Sequence, residues 1–175
     1  AVCYNKQDGL WVQSKENIIT VENDNAGFAF FVSTRKNVFI DIIEDISIKN
    51  NIDLDTYTIT LYGEYCGGNI QKKVGIENIP KTFLMFGVKI SNPQDVDFVS
   101  YWIEDVASIK TSHDNRIYNI FEFGTYKITI DFNNPQLIQN HIVDITNMIE
   151  KDCPIARYFG FPNTIGEGVV FTAFL

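Results

Sequence analysis

The chain has 175 residues, 45% hydrophobic and 21% charged, which suits one folded domain and excludes a disordered chain. Lys and Arg number 14 against 22 Asp and Glu, a net charge of -8 that argues against indiscriminate polyanion binding, because phosphate affinity comes from clustered cations. No run approaches the roughly 18 consecutive apolar residues of a spanning helix, and the opening "AVCYNKQDG" lacks the regions of a secretory signal, so a soluble protein is expected.

Residues 1 to 6 and 10 to 15 read as two strands around an Asp8-Gly9 turn, with Lys6 at a strand end. Val38, Phe39, Ile42, Ile43 and Ile46 fall at helical spacing and predict an amphipathic helix after the apolar run "AGFAFFV". "TYTITLYGE" alternates Tyr57, Ile59 and Leu61 with threonines, the pattern of a half-buried strand. It runs into "GEYCGGN", whose glycines allow either tight turns or backbone amides brought close to a phosphate.

"KTFLMFGVKIS" predicts a further strand, and "NRIYNIFEFGTYKITIDFN" a hairpin turning at Phe123-Gly124-Thr125. Ile138, Ile142, Ile145 and Ile149, at steps of four, three and four behind Pro135, predict a second helix. "GEGVVFTAFL" closes the chain as an expected strand. With no repeat or linker, residues 1–175 read as a single α+β domain of antiparallel sheets flanked by helices.

Cys3, Cys66 and Cys153 are odd in number and widely spaced, so buried reduced thiols of a cytosolic protein are expected. His113 and His141 stand alone, which disfavours zinc. Lys72 and Lys73 in "QKKVG", or Lys81 and Lys89, form a local basic track if they share a face; solvated charge at a sheet edge is the equal alternative.

A Lys-x-Asp-Gly match alone is weak evidence. It gains weight as the first of five segments: "NKQDG" at 5 to 9, "WVQSKENIIT" at 11 to 20, "LYGEYCGGNIQKKVGI" at 61 to 76, "FLMFGVKI" at 83 to 90 and "GEGVVFTA" at 166 to 173. In this order the five segments resemble the covalent nucleotidyltransferases, and "GEYCGGNIQK" is similar to ATP-dependent RNA ligases of the phage nick-sealing type.

The resemblance implies a ligase adenylation domain with Lys6 as the nucleophile that attacks the α-phosphate of ATP. It implies that Glu64 lies near the ribose and a catalytic Mg²⁺ or Mn²⁺, and that Glu167 helps organise the metal. Phe86 is implied to stack on adenine, with Phe83 its competitor. Lys15 stands where relatives carry Arg for sugar or phosphate, Asn5 where they carry Glu beside the nucleophile, and Gly9 closes the nucleotide-binding turn.

The partner implied is RNA with 5′-phosphate and 3′-hydroxyl ends in a nicked duplex. A cytoplasmic or host-cytoplasmic monomer is expected. A fifth motif with two lysines does not appear before Leu175, so an adenylyltransferase domain incomplete at its C-terminal end is expected. A DNA ligase or capping-type enzyme, and a nucleotide- or RNA-binding module without catalysis, are the alternatives.

The chemistry sets a demand on Lys6. An ordinary lysine has a pKa of about 10.4, so about one molecule in a thousand is neutral near pH 7.4. Apolar flanks from Cys3, Tyr4 and Trp11, together with the charge of Lys15 and a metal, are expected to lower that value.

Overall fold

A computed structural model describes residues 1–15, 17–24 and 26–170. Two strands, β1 (Val2–Asn5) and β2 (Gly9–Gln13), pair antiparallel from Val2 opposite Val12 to Asn5 opposite Gly9. β3 (Ile18–Ile19) lies beyond β2. The short helix α1 (Phe28–Ser33) starts beneath Asp24, whose carboxylate accepts the backbone N–H groups of Gly27, Phe28 and Phe30. A negative charge there satisfies donors that a helix start leaves unpaired.

Helix α2 (Lys36–Asn50) buries Phe39, Ile42, Ile43 and Ile46, the stripe that their spacing predicts. It stops at Asn51, in the left-handed region at φ 54°, where the N–H of Asn51 bonds Ile48 O and that of Ile52 bonds Ser47 O. This pair of bonds closes a helix C-terminus, and Asn tolerates the conformation better than most residues.

Strand β4 (Thr58–Cys66) pairs with β1, setting Leu61 opposite Val2 and Ile59 opposite Tyr4. β5 (Thr82–Ser91) follows β4 in the sheet; β6 (Tyr101–Trp102) pairs with its end and β7 (Ile117–Asn119) with its beginning. The sheet order is β3-β2-β1-β4-β5-β6, and of the pairings described by register only β5–β7 is parallel.

The chain divides into two compact units, Ala1–Tyr65 with Thr82–Glu122, and Cys66–Lys81 with Phe123 onward. In the first, α1 and α2 cover one face of the sheet, and Phe39, Ile43, Ile59, Leu61, Phe83 and Met85 are almost wholly removed from water. The Phe83 ring stacks on Phe28 at 5.6 Å and meets Phe39 edge-on at 5.7 Å. Each such side chain contributes about 1.5–3 kcal/mol of transfer free energy.

The second unit holds the helices α3 (Gln136–Lys151) and α4 (Pro154–Tyr158) and a 3-10 turn at Gly75–Asn78. α3 coincides with the predicted isoleucine helix and buries Ile145 and Ile149. Gly75 donates its N–H to Ile165 O at 2.6 Å and leaves no room for a Cβ, which would lie 2.8 Å from Ala156 Cβ.

Two expectations fail. The hairpin turning at 123–125 does not form: β7 pairs with β5, and residues 124–130 make no strand. The cause is Asn119, whose buried amide donates to Val106 O and Ile109 O while its oxygen accepts the N–H of Phe121. Those bonds turn the chain out of the sheet into a 3-10 turn at Ile120–Phe123. The closing strand is likewise missing from residues 166–170, and residues 171–175 lie outside the described residues.

Cys3, Cys66 and Cys153 are unbonded to one another and buried. Among the described residues no helix is long and apolar enough to cross a membrane.

Candidate active site

The β1–β2 turn is a three-residue loop, Lys6-Gln7-Asp8, closed by the Asn5–Gly9 pair, with Gly9 at φ 74°. A left-handed residue after a tight turn matches the twist of the flanking strands, and glycine takes that conformation without a Cβ penalty. Asn5 is buried at 4% exposure and holds the turn from within: its amide donates to Asp8 Oδ2 and Thr58 Oγ1, both at 2.9 Å, and its oxygen accepts the Asp8 N–H at 2.6 Å. Asn5, which stands where relatives carry Glu, is thus committed to turn geometry.

Lys6 projects from this turn into solvent. Its backbone N–H bonds Leu54 O at 3.0 Å, and its ammonium donates to Asp55 Oδ2 at 2.6 Å. Asp55 belongs to the α2–β4 connection, shaped by Asp53, whose carboxylate accepts the Asp55 N–H and the Thr56 hydroxyl. Gln7 ties the two loops together by donating to Asp55 O.

The expected activation of Lys6 is therefore reversed in this state. The hydrogen bond and charge of Asp55 raise the Lys6 pKa above the ordinary value, because a carboxylate stabilises the ammonium form; desolvation acts the other way and is the smaller effect. Nor does Lys15 supply the neighbouring cation. The Gln13 N–H bonds Ala1 O, so Lys15, two residues further on, lies past the open end of the β1–β2 hairpin, opposite the turn that carries Lys6.

Glu64 and Phe86 occupy adjoining stretches of β4 and β5. A Cβ on Gly63 would lie 2.7 Å from Leu84 O, and one on Gly87 would lie 3.9 Å from Tyr62 Cβ. Both Glu64 and Phe86 are exposed, whereas Phe83 is 0% exposed and packed in the core, so Phe86 is the ring of the two that a ligand can reach. Trp102 covers Gly87 and sits 5.0 Å from the Tyr62 ring, an aromatic neighbour that sequence reading missed.

These residues stand at a distance from Lys6. The β1–β4 register sets Lys6 beyond the ladder opposite Tyr57, and Glu64 is seven residues further along β4, about 23 Å at the usual rise of a strand. Glu167 belongs to the second unit, exposed in an irregular segment rather than on a strand, and the preceding Gly166 donates its N–H to Glu150 O at 3.2 Å.

Asp55 was also missed. The acidic doublet in "NIDLDTY" was its only trace, and nothing local ties that doublet to a turn 49 residues earlier. Among the described residues no three His, Cys, Asp or Glu side chains gather as a metal site. Comparison with known proteins returns no matching family model, no matching curated protein and no matching solved structure.

Proposed function

We propose that this chain carries the adenylyltransferase chemistry of an ATP-dependent RNA ligase, on a nucleotidyltransferase fold, with Lys6 as the covalent nucleophile. The observation that carries the reading is the Lys-x-Asp-Gly turn: it presents the Lys6 ammonium to solvent at the tip of a hairpin fixed from inside by Asn5. Glu64 and Phe86, from segments later in the family order, are exposed as the resemblance requires, though they stand away from Lys6 along β4.

In the first step Lys6 leaves Asp55 and loses a proton to solvent. The neutral amine then attacks the α-phosphorus of ATP, a nitrogen–phosphorus bond forms, and the bond to the leaving pyrophosphate breaks. An oxygen of an RNA 5′-phosphate next attacks the same phosphorus and releases Lys6. The adjacent 3′-hydroxyl finally attacks that 5′-phosphate, expelling AMP and sealing the strand.

The resemblance assigns adenine to Phe86 and ribose to Glu64. The roughly 23 Å between Glu64 and Lys6 far exceeds the span from ribose to α-phosphate, so Lys6, not one bound pose, carries the reading. Gly9 and Asn5 act through the turn that presents Lys6, and Lys15, at the far end of the hairpin, is not in reach of a nucleotide bound at Lys6. Glu64, and separately Glu167 in the other unit, each have the hard oxygen donors that Mg²⁺ takes, and a bound ion would supply charge neutralisation on the phosphates.

The test is incubation with α-labelled ATP and Mg²⁺ followed by denaturing electrophoresis. An acid-labile protein adduct, lost in Lys6→Ala, is expected; an adduct that survives Lys6→Ala overturns the assignment. GTP against ATP, and DNA nicks against RNA nicks, separate the capping-type and DNA-ligase alternatives. A nucleotide- or RNA-binding module without catalysis is the second reading, favoured by the Lys6–Asp55 contact that keeps the amine protonated. It requires binding without any adduct.

A further inference from the structure

We propose that the loop carrying Lys72 and Lys73 is a contact for the phosphate backbone of RNA, an inference that rests on the RNA-ligase reading for the identity of the polyanion. The chain as a whole is acidic at -8, yet residues 66–81 hold three lysines against the single carboxylate of Glu77. Local charge of that sign in an acidic protein is where a polyanion is drawn.

The backbone that carries these lysines is fixed by its own hydrogen bonds. Gly67, Gly68, Asn69 and Lys73 all have positive φ, and their N–H groups bond Gln71 Oε1, Ile79 O, Glu77 O and Glu77 Oε2 respectively. Lys73, at φ 64°, has a conformation that a non-glycine residue adopts at a cost, here held by the 2.8 Å bond to Glu77. Gly68 has no Cβ where the Lys81 stem crosses it, since one would lie 2.6 Å from Lys81 Cγ. Lys72 and Lys73 are thereby displayed from one closed loop, with the half-buried Lys81 beside them.

The same bonds decide the mode of contact. Because the glycine-rich backbone spends its N–H groups internally, it cannot cradle a phosphate with amides, which corrects one option open from the sequence. Contact falls to the side chains, of which Lys72 is 64% exposed with its ammonium 3.7 Å from Glu77. Lysine ammonium groups act as point charges that read phosphate rather than base edges. Little further ordering is needed on binding, because the loop already has its fold.

The experiment measures binding of a fluorescent nicked RNA duplex, without ATP so that Lys6 chemistry plays no part, across a range of salt. The variant Lys72→Gln with Lys73→Asn removes both charges, and Asn tolerates the positive φ at position 73. Its affinity is expected to fall about tenfold at 0.1 M salt, with the slope of log K against log salt reduced by roughly 1.4–1.8 for two lost phosphate contacts. Lys127→Gln with Lys151→Gln, two exposed lysines of the same unit, is expected to change the slope by less than half as much.

An unchanged slope in the loop variant, with its thermal midpoint retained, overturns the proposal. So does an equal loss in the control pair, which would mean that net charge alone is read. Wild-type protein is expected to hold the RNA duplex more tightly than DNA of the same sequence; equal or tighter DNA binding overturns RNA as the partner. Failure here is separable from failure of the ligase reading, which is judged by the Lys6 adduct.

Discussion

Lys6 Nζ donates a 2.6 Å hydrogen bond to Asp55 Oδ2, joining the β1–β2 turn to the α2–β4 connection across 49 positions of sequence. Both side chains are about half exposed, at 52% and 62%, so solvent screens the pair and its contribution to stability is small. Its consequence is chemical: the candidate nucleophile rests in its protonated form.

Asp55→Asn should return Lys6 toward ordinary lysine behaviour. The pair raises the folded-state pKa above 10.5, so its stabilisation is fully present below that value and is lost as pH rises through the higher folded value. The pH profile of Lys6 acetylation, read by peptide mass spectrometry, should have its midpoint above 10.5 in wild type and lower in the variant. At pH 8 the variant amine should react about two- to fivefold faster. Coincident profiles would show that Asp55 has no hold on Lys6.

Asn5→Ala should cost about 2 kcal/mol of stability, because it removes the buried partner of Asp8 and Thr58 and leaves polar groups unpaired. Urea unfolding measures it. Undiminished stability with weakened ATP binding would return Asn5 to the role of a nucleotide contact.

Phe83→Ala and Phe86→Ala should separate cleanly. The first empties the centre of the core and should cost about 3–5 kcal/mol. The second trims an exposed ring, at 46%, and should change stability by less than about 1 kcal/mol while weakening ATP binding severalfold. Calorimetric titration with ATP reads the second effect; unchanged affinity in Phe86→Ala removes it from the nucleotide site.

Gly63→Ala should destabilise by about 1–3 kcal/mol, since a Cβ there meets the Phe83 ring and the Leu84 carbonyl. The glycine of "YGE" is thus explained by the close approach of β5 to β4. A thermal midpoint equal to wild type in Gly63→Ala would remove that account.

Much of the unit that carries Lys6 was legible in the residues. The turn at Asp8-Gly9, the stripe from Phe39 to Ile46 and the alternation through Ile59 and Leu61 are local signals, set by backbone sterics and by the 3.6 and 2.0 periods of side chains. The segment from Tyr126 to Ile130 carried the same alternation and misled, because a strand also needs an edge to pair with. Asn119 had already bonded the chain out of the sheet.

By itself, then, the sequence determined the turn that presents Lys6, the two long helices and the strands β1, β2, β4 and β5, because each is decided by residues within one element. Only the tertiary structure decided that Asp55 meets Lys6, that Phe83 is core while Phe86 faces water, and that Lys15 lies at the far end of the hairpin from Lys6. Those outcomes depend on which distant elements share an edge or a face. Pairing of that kind follows from register and from burial shared across the fold, which no short window of residues contains.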